Sequence, residues 1–174
     1  RGLIRGRSIS AVLTAAIYIS CRELGIPKTL KEIARADNIA GKIVPKAYRM
    51  LLSELDLKIP NSDPMKCIVR IANKVGIKEN TKRIAIDIMD NVIKKEIAAG
   101  KDPMVMAATV LYMSCLRAGE KKTQKEISEA AGVTGFTIRK RFKDLTNTIQ
   151  SINIPEYRFN TLDATAVIAT TQLC

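Results

Sequence analysis

GRSISAVLTAAIYISCRELGIPKTLKEI, residues 6–33, returns as GKDPMVMAATVLYMSCLRAGEKKTQKEI, residues 100–127, and the two stretches align without a gap at a constant offset of 94. Tyr18-Ile19-Ser20-Cys21 answers Tyr112-Met113-Ser114-Cys115, and Lys28-Thr29-Leu30-Lys31-Glu32-Ile33 answers Lys122-Thr123-Gln124-Lys125-Glu126-Ile127. Beyond the quoted stretch the register persists: Gly41 meets Gly135, Lys46 meets Lys140, Tyr48 meets Phe142 and Leu51 meets Leu145. Solenoid units recur every ~20–50 residues, so a repeat this long is a small domain in its own right.

Both copies read as helical. Asp63-Pro64 and Asp102-Pro103 each place a side-chain acceptor at the N-cap and a proline at the first helical position, where its missing N–H costs nothing. Thr29-x-x-Glu32 and Thr123-x-x-Glu126 are capping boxes. Ile68, Ile71, Ala72 and Val75 are spaced for one helical face, as are Ala85, Ile88, Met89 and Val92. Residues 8–24 and 102–118 are apolar nearly all round and are predicted to be the buried central helix of each copy. The second copy thus reads as five helices, roughly 63–76, 79–98, 102–118, 123–131 and 135–150. The first shows three, about 8–24, 29–37 and 43–56. By the offset, its first helix and most of its second would precede residue 1, which predicts an uncovered apolar side on the 8–24 helix. The expected fold is all-α: 1–60 a first repeat lacking its N-terminal helices, 61–152 a complete second repeat, and 153–174 a Thr-rich, slightly acidic tail with no assigned role. Asn61-Ser62 is the linker, and an opening Arg in place of Met reads as a fragment or a processed chain.

The net charge is +12 over 174 residues, spread over both copies, which favours a polyanionic partner and most simply nucleic acid. Histidine is absent, which removes imidazole as base, nucleophile or metal ligand. Cys21, Cys67, Cys115 and Cys174 form no CxxC pair, so no metal site, redox dithiol or cofactor is expected. No catalytic constellation appears and an enzyme is not expected. The apolar run Ala11 to Ile19 is too short to span a bilayer, no signal peptide is visible, and unpaired thiols suit a reducing intracellular setting.

From Lys122, KTQKEISEAAGVTGFTIRKRFKDL has the layout of a helix-turn-helix. Gly132 can end the first helix in a left-handed turn and Thr134 can cap the second. Ile138, Phe142, Leu145 and Ile149 make the buried stripe of that second helix, leaving Phe136, Lys140 and Lys143 outward with Arg139 on the flank. In such motifs the start of the second helix meets base edges, and Arg139 is the residue expected to bind guanine through two donors. Gly6-Arg7-Ser8 and Gly100-Lys101-Asp102 precede the two buried helices, where a glycine, a cation and a helix N-terminus together suit a phosphate. A basic run such as Arg139 to Lys143 can also be a solvated helix face, and such triplets are often plain caps.

Read together, GRSISAVLTAAIYISCRELGIPKTLKEIA, SELDLKIP, GKDPMVMAATVLYMSCLRAGEKKTQKEI and GVTGFTIRKRFKDL resemble the core domain of archaeal transcription factor B and eukaryotic TFIIB, over about residues 1–152. The resemblance implies tandem cyclin-like five-helix repeats that bind the TATA-binding protein on promoter DNA. It implies base contacts by Arg139 and Phe136, further DNA contacts by Thr137 and Lys140, and backbone contacts by Gly6, Arg7, Gly100 and Lys101. It also implies a contact of Lys42, Lys46 and Arg49 with an acidic lobe of the TATA-binding protein. Two residues depart from the family pattern: Phe136 stands where a smaller aliphatic residue is usual, and Pro45 where glycine is usual. The zinc ribbon that engages RNA polymerase in the family has no counterpart in this sequence. The resemblance further implies a monomeric assembly factor with no membrane association, cytoplasmic in an archaeon or nuclear in a eukaryote. The competing reading is a cyclin-like regulator that binds a protein partner and no DNA.

Overall fold

The computed structural model describes residues 6–39 and 42–151; Gly41, Cys174 and the rest of the tail from Asn153 lie outside the described residues. Among the described residues there are eight α-helices and no strand: α1 (Ile9–Glu23), α2 (Leu30–Ala36), α3 (Ile43–Glu54), α4 (Pro64–Val75), α5 (Glu79–Lys94), α6 (Pro103–Arg117), α7 (Gln124–Ala131) and α8 (Gly135–Ser151).

The helix starts follow the caps. Asp63 accepts from the Met65 amide at 2.9 Å, and Asp102 accepts from Met104 and Val105 at 2.8 and 3.2 Å, with the prolines at the first helical position. Both threonine capping boxes are closed, Thr29 with Glu32 and Thr123 with Glu126. The helix ends are less uniform. The reading of 79–98 as one helix runs past the observed end of α5 at Lys94. There the Glu96 amide donates to Ile93 (2.9 Å) and the Ile97 amide to Val92 (3.0 Å), while Glu96 turns left-handed at φ 55°. This is a Schellman stop, with Ile97 folded back into the core, and it uses a glutamate where sequence reasoning looks for glycine.

Helix α6 is the axis of the second repeat. Met106, Ala107, Ala108, Val110, Leu111, Met113 and Cys115 are all fully buried, and α4, α5, α7 and α8 pack around them. Burial pushes the Cys67 thiol up to about 11 and the Cys115 thiol up to about 12, which leaves both as core residues of low reactivity. Its counterpart α1 packs on α3 and α2 through Ala11, Thr14, Ala15 and Ile19. The expectation of a helix buried all round does not hold for α1. Ile9 (66% exposed), Leu13 (60%) and Ile17 (43%) form an open ridge at helical spacing, the uncovered side that the offset led us to expect. The same aromatic fastening recurs in both repeats. Tyr18 meets Tyr48 edge-on at 5.2 Å between centroids, and their equivalents Tyr112 and Phe142 do so at 5.7 Å.

The α6–α7 loop closes two helix ends with opposite charges. Lys122 donates to the Val75 carbonyl at the C-terminus of α4 (2.9 Å). Glu120 accepts from the Lys78 amide (3.1 Å) and the Thr81 hydroxyl (2.6 Å) at the N-terminus of α5, whose N-cap lysine has no acceptor of its own. Each charge suits the helix pole that it meets. Glu120→Ala is therefore expected to cost about 1–2 kcal/mol, through a lost charged cap and an unpaired buried Thr81 hydroxyl. Faster hydrogen exchange in the first turn of α5 would report it, and unchanged protection there would refute the cap.

Candidate nucleic-acid interface

Helices α7 and α8 are held at a defined turn by local chemistry. Gly132 adopts φ 70°, a conformation that the Cβ of other residues disfavours, and its amide and that of Val133 satisfy the last carbonyls of α7. Thr134 then caps α8, accepting from the Thr137 amide at 3.2 Å, and the two threonine hydroxyls share a 2.7 Å hydrogen bond. The inner face of α8 is sealed: Ile138, Phe142, Leu145 and Ile149 are buried against the α6 core. Those contacts fix which side of α8 meets solvent.

The outer face carries Phe136, Arg139, Lys140 and Lys143, all exposed and spaced so that they share one side of the helix. Phe136 is 70% exposed, an unusual position for an aromatic ring without a partner in water. Thr137 is half-buried, its hydroxyl engaged in the cap. Arg141 differs from its neighbours: it lies half-buried and reaches 3.5 Å toward Asp144, so the outward charge is that of Arg139, Lys140 and Lys143.

Helix α3 presents the same face in the first repeat. Lys42, Lys46 and Arg49 are exposed, and they fall 94 positions before Phe136, Lys140 and Lys143. The helix starts differ. Asn38, the counterpart of Gly132, is also left-handed at φ 51°, but Lys42 offers no side-chain cap and Pro45 occupies the first turn where the second repeat has Arg139. The two faces thus share two cations, at Lys46/Lys140 and Arg49/Lys143, and differ at the helix start, where the second alone carries Arg139.

The loops ahead of α1 and α6 also match each other. Gly6 and Gly100 are both left-handed, at φ 72° and 67°, and Arg7 is exposed while Lys101 is half-buried. The amides at these helix starts are partly taken: Asp102 accepts from two at α6 and Ser8 accepts from that of Ala11 at 3.3 Å, while the Lys101 ammonium donates to the Ile97 carbonyl. What α6 can offer a phosphate is therefore the charge of Lys101 rather than an empty helix pole. Lys101 also lines an open cleft of about 720 Å³, together with Asn61 and Ser62 of the linker.

The site residues thus lie in four places: the start of α8, the outer side of α3, and the two glycine loops. Among the described residues no cluster of His, Cys, Asp or Glu could hold a metal ion, and no helix is long and apolar enough to cross a membrane. Sequence reasoning did not find the contacts between the repeats. Glu32 was read as a cap alone, whereas it also meets Arg70 of α4.

A family model of the transcription factor TFIIB repeat matches the chain twice, over residues 1–54 and 57–148. Similar proteins include transcription initiation factor IIB of Sulfurisphaera tokodaii, 43% identical over 155 residues, covering 89% of this chain and 50% of that protein. The factor of the same name from Saccharolobus shibatae is 44% identical over 155 residues with the same coverage. Transcription initiation factor IIB 2 of Thermococcus kodakarensis is 40% identical over 153 residues, covering 88% of this chain and 50% of that protein. The chain spans about half the length of these curated relatives.

Proposed function

Since the chain belongs to the transcription factor TFIIB repeat family, we propose that it is the core of a general transcription initiation factor. It binds the complex of TATA-binding protein with promoter DNA and reads an upstream element through α7 and α8. The observation that carries this reading is the outer face of α8: an exposed arginine and two lysines on a helix whose other side is locked into a core. Arg139 offers its fork of donors to a guanine edge, Phe136 meets the neighbouring base with its ring, where a thymine methyl is the fitting partner, and Lys140 and Thr137 serve the adjoining backbone. Arg7 and Lys101, beside Gly6 and Gly100, supply phosphate contacts on separate loops. Lys42, Lys46 and Arg49 form the complementary basic stripe for an acidic surface of the TATA-binding protein. In this reading the chain acts as a monomer, without catalysis or cofactor, in the compartment that holds the DNA. The two repeats, resting on separate cores, are the working domains.

The test is a mobility shift with archaeal TATA-binding protein on promoter DNA, comparing intact and scrambled sequence just upstream of the TATA box. A supershift that weakens on scrambling and falls steeply with added salt is expected. The alternative is a cyclin-like regulator that binds protein alone, against which stands the exposed basic face of α8. It requires that no promoter-dependent component be seen.

A further inference from the structure

The two repeats have separate hydrophobic cores, so their relative placement rests on other contacts, and these converge at one point. Glu32 divides its carboxylate. Oε2 accepts from the Thr29 amide (2.9 Å) and hydroxyl (3.0 Å), completing the capping box of α2, while Oε1 receives Nη2 of Arg70 from α4. The other terminal guanidinium nitrogen, Nη1, donates to the Pro27 carbonyl in the loop before α2. One turn before Arg70, Lys66 lies against Gly25 of the first repeat, and one turn after it Lys74 ties α4 to α7 within the second repeat, donating to the Ala130 carbonyl at 3.3 Å. The turn of the helix-turn-helix closes the group. A Cβ on Gly132 would lie 3.8 Å from both Glu32 Cγ and Thr29 Oγ1, so this turn rests on the first turn of α2.

We propose that Arg70 is a positioning residue: through Glu32 and Pro27 it latches the first repeat to α4 and the α7–α8 turn, fixing the distance between the α8 face and the first repeat's contacts. The effect on promoter reading rests on the function proposed above; the latch itself does not. A two-donor guanidinium held by a carboxylate and a carbonyl constrains direction as well as distance, which a lysine could not do. Arg70 and Glu32 are 18% and 22% exposed, so the pair is shielded from full screening by solvent. Burial pulls the Glu32 carboxyl upward, but the Thr29 amide and Arg70 outweigh it and hold the group below the usual carboxylate range, charged at neutral pH. The second repeat's own capping box provides the internal contrast: Glu126 is exposed and serves Thr123 alone among the described contacts.

Glu32→Gln separates latch from cap, because glutamine still closes a capping box but turns an amide donor toward the guanidinium. The experiment compares the whole chain with Arg70→Ala, Glu32→Gln and the double variant. Spin labels on unnatural residues at exposed Ser53 of α3 and Asn147 of α8 report the distance between repeats. A parallel mobility shift moves the upstream element by one base pair relative to the TATA box. The expected result is roughly a doubling of the width of the distance distribution in both single variants, with no further change in the double and helical content preserved. The penalty for the shifted element should shrink in the same variants. An unchanged distribution overturns the latch. A broadened distribution with an undiminished spacing penalty overturns its positioning role. If the parent chain shows no dependence on the upstream element, the proposed function fails, while broadening of the distribution still supports the latch.

Discussion

Leu111→Ala is expected to cost the second repeat about 3 kcal/mol, whereas Ile17→Ala, at the same position of the first repeat, should change stability by less than about 0.5 kcal/mol. The two residues lie 94 apart on equivalent central helices. Leu111 is fully buried on α6, with helices on every side, so truncation removes its transfer energy and leaves a cavity that a close-packed core cannot fill. Ile17 is 43% exposed on the open ridge of α1, where solvent already occupies the space that a shorter side chain would vacate. The chain has two cores, so one global midpoint would blur the contrast. Hydrogen exchange read separately on peptides of α4–α8 and of α1–α3 keeps the effects apart. Equal costs at the two positions would mean that the ridge of α1 is covered in solution.

Arg139→Ala is expected to remove discrimination between intact and scrambled upstream elements by about 1–3 kcal/mol, the worth of a two-pronged contact with a base. Binding titrations of the TATA-binding-protein complex on both sequences measure it as a ratio. That ratio should fall roughly tenfold for each ~1.4 kcal/mol lost. Lys140→Ala provides the contrast: a phosphate contact carries no sequence information, so affinity should drop alike on both DNAs and the slope against log salt should flatten by about 1. Should Arg139→Ala weaken both sequences equally, arginine would be another phosphate contact and base reading would pass to Phe136. The face is rigid enough for such a test, because the buried stripe and the Thr134 cap lie on the far side and on the end of α8.

Local signals in the sequence revealed most of the fold. Helix starts were legible because Asp-Pro pairs and threonine capping boxes act within a few residues, and the structure closes each of them. The two sides of α8 were legible because spacing alone separates Ile138, Phe142, Leu145 and Ile149 from Arg139 and Lys140. The end of α5 was not, since a left-handed Glu96 is selected by the burial of Ile97 and not by its own preference. Nor were the latch and the Glu120 cap. Arg70 and Glu32 stand 38 residues apart, Lys78 and Glu120 stand 42 apart, and no periodicity marks either pair. The glycine loops were half legible. Their repetition showed in the sequence and both glycines turn left-handed in the structure, but Asp102 takes amides of its own helix that a phosphate would otherwise meet.

The shared face of α3 and α8 also has a historical side. A gene duplication hands a chain two copies of one surface, and each copy is then free to change on its own. Lys46 and Arg49 still stand opposite Lys140 and Lys143 in the ancestral register. Among the outward residues named for the two helices the difference falls at the helix start, where Pro45 faces Arg139 and Lys42 faces Phe136. On the roles proposed above, one basic stripe present twice serves two partners, and the residues at the helix start mark the difference between them.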